Sequence, residues 1–180
     1  MGNANGIGRG ERTRRLAVSA MLSALGVVIM YIGSPIEVMD ISLAVIASLF
    51  CVLAVVEYGG AYPWMIFAVT AVLSVWLLPN KTPGAMYAVF FGFYPILKEK
   101  FEGRGRILSW VLKELVFNIG LAAMLLLFKF VFMVGEVNIG PVYIVAVVVM
   151  AELVFILYDI ALTRLISLYI YRLRKRFRIK

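Results

Sequence analysis

Six apolar runs, at roughly residues 16–33, 41–57, 61–79, 84–97, 107–133 and 141–165, take up most of the chain, and only turn-forming or charged breaks separate them. A chain patterned this way carries more apolar surface than a water-soluble core can hide. Hydrophobic side chains make up 63% of its 180 residues, whereas ordinary domains are about 45–50% apolar. The bilayer is the expected solvent. Lipid offers the backbone no hydrogen bonds, so each run is expected to cross as a helix. The fold class that follows is an all-α integral membrane protein, a bundle of six transmembrane helices. The second and fourth runs are short for a crossing of about 20 residues. Either is expected to tilt or to enter only part of the way, and five crossings is the alternative count.

Charge orients the bundle. The 18 lysines and arginines outnumber the 10 acidic residues, for a formal charge of +8. They gather at the ends of apolar runs: Arg9, Arg12, Arg14 and Arg15, then four cations between Lys98 and Arg106, then seven from Arg164 to Lys180. Clusters of this kind mark cytoplasmic loops and exclude a nucleic-acid face. Placing all three clusters on one side puts 15 of the 18 cations inside. Both termini are then expected in the cytoplasm, in a plasma membrane of prokaryotic type. The outer loops are 34–40 with Glu37 and Asp40, 79–83 with Asn80 and Lys81, and about 130–141 with Glu136 and Asn138. The organisation expected is a disordered basic lead-in over 1–15, a membrane domain over 16–171 and a basic tail over 172–180. The alternation of apolar residues and cations in YIYRLRKRFRIK is read as anchoring to anionic lipid, with partner docking as the alternative. The first run continues past the length of a signal peptide and has no clear cleavage site, so it is read as an anchor.

Several kinds of chemistry are excluded by what the chain lacks. It contains no histidine, and its one cysteine, Cys51, lies inside an apolar run. The commonest general base and metal ligand are therefore absent, and no disulfide or thiol pair can form. Walker-type, Gly-x-Ser-x-Gly and His-Glu-x-x-His patterns are missing as well. No catalytic residue, metal or cofactor is expected, and an enzyme is not. Trp64, Trp76 and Trp110 fall near run ends, where indole rings favour the headgroup layer.

Two patterns carry more specific expectations. Ala17, Ala20 and Ala24 share one face of the first helix, and small residues at that spacing let another helix approach closely. The neighbour is either a helix of the same chain or a partner protein. Ionisable groups inside the runs cost at least about 2.5–3.5 kcal/mol each and normally face a partner or a cavity. Lys113 and Asn118 on the fifth run and Glu152 and Asp159 on the sixth are of this type. Lys113 is expected to pair with Glu152 or Asp159, and the polar wall of a transport cavity is the alternative. Asn118 is the better ligand candidate, because an amide both donates and accepts. The stretch Phe91 to Glu102, FGFYPILKEKFE, is read as a helix end with a solvated cytoplasmic loop, or else a docking surface for a partner.

Six runs in 180 residues, a basic flank leading into RRLAVSAMLSALG, a basic tail and no ATPase motif together resemble the substrate-binding S components of energy-coupling factor (ECF) transporters. The resemblance covers nearly the whole chain in architecture and extends to motif level only in the first helix. It implies that Ala20 and Ala24 pack on a transmembrane coupling subunit served by separate ATPases. It also implies that a small molecule, such as a vitamin or its precursor, binds toward the outer face. By location, Glu37, Asp40, Asn80, Lys81, Asn118, Glu136 and Asn138 become its candidate ligands. The competing expectation is a non-transport scaffold that assembles cell-envelope proteins in the bilayer.

Overall fold

The computed structural model describes residues 8–103, 105–130 and 141–173. Among them the chain is helical and has no strands. Seven helices follow one another: α1 (Arg9–Gly33), α2 (Asp40–Glu57), α3 (Tyr62–Leu77), α4 (Thr82–Met86), α5 (Tyr94–Glu102), α6 (Arg106–Phe130) and α7 (Pro141–Leu168). Wider π-turns follow α4 at Tyr87–Phe91 and α7 at Tyr169–Leu173. Four helical stretches are long and apolar enough to cross a membrane: Arg9–Gly33, Asp40–Glu57, Ile107–Leu127 and Val145–Tyr171. The third run forms only the 16 residues of α3, about 24 Å at 1.5 Å per residue. The fourth run is not one helix but α4, a π-turn and α5.

Two expectations are corrected here. The lead-in over 1–15 is not unstructured throughout, because α1 already begins at Arg9. Thr13 donates to the Arg9 carbonyl, and Arg15 pairs with Glu11 one turn back at 2.6 Å. The guanidinium of Arg15 also lies over the rings of Tyr58 and Tyr62, 5.6 and 5.9 Å from their centroids. The stretch 94–102 is not a solvated loop but helix α5, with Lys98 fully buried.

Punctuation of the helices is local. Pro63, Pro83 and Pro95 sit in the first turns of α3, α4 and α5, where a missing N–H costs nothing. The α2–α3 turn runs through Gly59 and Gly60 at φ +58 and +62, a left-handed pair that residues with a Cβ rarely adopt.

The chain divides into two compact units, Met1–Val116 and Phe117–Lys180. In the first, α1 packs along both α2 and α3. Its buried face reads Ser19, Ser23, Gly26, Val27, Met30 and Gly33 at helical spacing. It meets Leu43, Ala44 and Ala47 of α2 and Thr70 and Ala71 of α3, also buried and mostly small. A methyl added at Gly26 would lie 3.2 Å from Thr70 Cγ2, and one at Gly33 only 2.5 Å from Leu43 Cδ1. Ala17, Ala20 and Ala24 are on the exposed side of α1, so the stripe singled out in the sequence is not the one this unit packs. Cys51 is wholly buried, with its sulfur 3.6 Å from the Pro63 carbonyl oxygen.

The π-turn gathers an aromatic cluster. Phe67 of α3 meets Tyr87 and Phe93, and Phe90 lies 5.0 Å from Tyr94. Gly92 closes the turn by donating to the Tyr87 carbonyl at 2.8 Å. A Cβ there would come within 2.6 Å of the Phe67 ring and 2.7 Å of Tyr87. In the second unit, the rings of Phe117 on α6 and Phe155 on α7 stack at 4.4 Å.

Gly92→Ala is expected to destabilise the protein by about 1–3 kcal/mol, the usual cost of forcing a methyl into packed rings. Gly10→Ala meets nothing within 4 Å and is expected to hold or raise stability. Thermal melts of both variants in detergent check this, and equal midpoints for the two would show that the aromatic cluster yields freely.

Candidate functional site

The turns that follow α1 and α3 are joined by a polar cluster. Pro35 cannot donate a backbone hydrogen bond, and α1 stops just before it, leaving Ser34 buried at the helix end. The Asn80 backbone N–H donates to Ser34 Oγ at 3.0 Å, and Ser34 Oγ in turn donates to the Asn80 carbonyl at 3.5 Å. The Asn80 amide nitrogen donates to Asp40 Oδ2 at 2.9 Å, while its Oδ1 accepts the Thr82 N–H at 3.0 Å. One asparagine thus shapes its own turn and reaches a second one. Asp40 opens α2, where the helix dipole favours a carboxylate, and is only 6% exposed. Lys81 is exposed and donates to the Trp76 carbonyl at the end of α3.

Of the ligand candidates read from the sequence, the structure brings Asp40 and Asn80 into contact and sets Lys81 beside them. Glu37 lies in the short 3₁₀ turn Glu37–Met39, directly before Asp40. Glu136 and Asn138 lie outside the described residues. Ser34 was missed, because nothing local distinguishes it from any serine before a proline.

Asn118 belongs to the second unit, about 18 Å from either end of α6 at 1.5 Å per residue. It is exposed, and its amide donates to Glu152 Oε1 on α7 at 3.2 Å. The other oxygen of Glu152 is buried without a hydrogen-bond partner. Asp159 is buried, and its carbonyl accepts from Thr163 at 2.8 Å.

Lys113 forms an ion pair with Glu102 at 3.1 Å, and Lys98 reaches the same carboxylate oxygen at 3.2 Å. The sequence argument weighed only the long helices and overlooked α5, which carries both Lys98 and Glu102.

Among the described residues, no three of Cys, Asp and Glu converge as metal ligands would. The donor set of the polar cluster is one carboxylate, one amide and one hydroxyl, suited to hydrogen bonding with a small polar molecule. Comparison with protein-family models, curated proteins and solved structures finds no match.

Asp40→Ala and Asn80→Ala are each expected to destabilise the protein by about 1–3 kcal/mol, with the double variant losing less than the sum. Chemical or thermal unfolding of the four proteins in one detergent measures the cycle. Strictly additive losses would show that the two turns are held together by something else.

Proposed function

We propose that the chain is the substrate-capture subunit of an ATP-driven uptake transporter of the ECF type, binding a small molecule such as a vitamin or its precursor. The observation that carries this reading is the division of labour on α1. One small-residue face, Ser19, Ser23 and Gly26, is used inside the chain's own bundle. The second, Ala17, Ala20 and Ala24, is exposed beside Met21, Leu25 and Val28. In lipid such a face is where another helix gains close contact, and the resemblance assigns it to a transmembrane coupling subunit.

In this reading the chain crosses the membrane six times, with both ends in the cytoplasm. The short α3 crosses with local thinning of the bilayer, and the broken α4–α5 segment crosses with its break buried in protein. The Asp40–Asn80 cluster then lies toward the outside, where a ligand arrives. Asn80 offers a donor and an acceptor that a ligand can take over from Asp40 and Ser34. The chain carries no nucleotide-binding loop, so movement of the loaded subunit is driven by ATPases through the coupling subunit.

A second reading, a scaffold for cell-envelope assembly, draws on the same cluster. Asn80 already has partners in Asp40, Ser34 and Thr82, as a purely structural clasp would.

Affinity purification from native membranes in mild detergent, with mass spectrometry of proteins and small molecules, separates the readings. A coupling subunit with two ATPases is expected, and Ala20→Leu with Ala24→Leu should fold yet release it. Recovery of envelope-assembly proteins without ATPases would replace the transporter with the scaffold.

A further inference from the structure

Lysines seldom end inside a membrane protein, because an ammonium group taken out of water needs anionic or dipolar partners. Here two do so together. Lys98 of α5 is 1% exposed and Lys113 of α6 is 5% exposed. Further interactions of the chain hold both in place. Their Nζ atoms converge on one atom, Oε1 of Glu102, at 3.2 and 3.1 Å. The glutamate side chain is 45% exposed. It ends α5, and Gly105, at φ +98, follows shortly after. The cations are therefore walled in, and the anion between them stands at the surface on the last turn of a nine-residue helix.

Two ammonium groups on a single oxygen form the charge pattern in which lysines bind a phosphate oxygen, each acting as a point charge. The surroundings indicate the depth. Lys113 Nζ lies 5.8 Å from the Trp110 ring, and Lys100 Nζ lies 5.7 Å from that of Trp64. Arg15 spans Tyr58 and Tyr62 at the same end of the first unit. Tryptophan and tyrosine collect at the level of lipid headgroups, where phosphate groups lie.

We propose that Lys98 and Lys113 form a seat for a phosphate group, and that Glu102 is the chain's own occupant, displaced when phosphate enters. The phosphate belongs either to a lipid headgroup or to a soluble molecule. The seat is independent of the transporter reading and stands whether or not a coupling subunit is found.

The test uses the full chain in dodecyl maltoside micelles, which carry no phosphate, read by thermal melting. Glu102→Ala removes the occupant and opens its space. In detergent alone the variant is expected to melt several degrees below the wild type. Phosphatidylglycerol mixed into the micelles, or millimolar inorganic phosphate added to them, is expected to restore at least half of that shift. Recovery with phosphatidylglycerol alone assigns the seat to a lipid headgroup, and recovery with inorganic phosphate assigns it to a soluble ligand. The control is Lys98→Met with Glu102→Ala, which keeps one lysine and should gain nothing beyond the wild type's own response. If Glu102→Ala folds only with phosphatidylglycerol present, the seat stands. No loss on substitution, no recovery with either additive, or equal recovery in the control would each overturn it and leave a plain ion cluster.

Discussion

Between helices in hydrocarbon, burying leucine against leucine gains little, because lipid tails are as apolar as the side chains they would replace. What remains is close contact, and in the first unit the backbones can approach only where side chains are small. Gly26 of α1 lies against Thr70 of α3, and Gly33 admits Leu43 of α2. Everything else in the unit is placed by that seam. It brings the end of α1 to the start of α2 and the end of α3, and so sets Ser34, Asp40 and Asn80 within hydrogen-bonding reach. At the other end it brings Arg15 over Tyr58 and Tyr62.

The two ends differ in chemistry as a result. One is knit by neutral and acidic groups that hydrogen-bond at 2.9–3.0 Å through Asn80. The other is built from cations resting on aromatic rings and on Glu102. A bundle with such polarity has one stable direction in a membrane whose inner leaflet is anionic, which is the physical content of the positive-inside rule. The orientation proposed above follows the cations.

Much of the fold was legible because each apolar run needs a helix to satisfy its backbone, and the runs beginning near Asp40, Tyr62 and Arg106 coincide with α2, α3 and α6. The misreadings have a common origin in contacts distant along the chain. Both stripes of α1 read as small, and only Thr70, on another helix, decides that Gly26 rather than Ala24 faces the bundle. Ser34 could not be recognised because its partner Asn80 lies 46 positions on. YPILKEKFE looks like a loop by its charge, yet Lys98 has an acid one turn ahead at Glu102 and a buried stem, so it sits inside a helix. Within the candidate site, Asp40 and Asn80 were visible as outer-loop polar residues. Their mutual hydrogen bond was not, since it depends on how the seam aligns α1 with α3.

Cys51 has a practical consequence. Its thiol is sealed between α2 and the start of α3, with no exposed surface. A thiol buried in this way is expected to react far more slowly with water-soluble maleimides than an exposed one, so the native chain serves as a low-background host. A single cysteine placed in any loop would report by itself which side of the bilayer that loop occupies, without first altering the packed core.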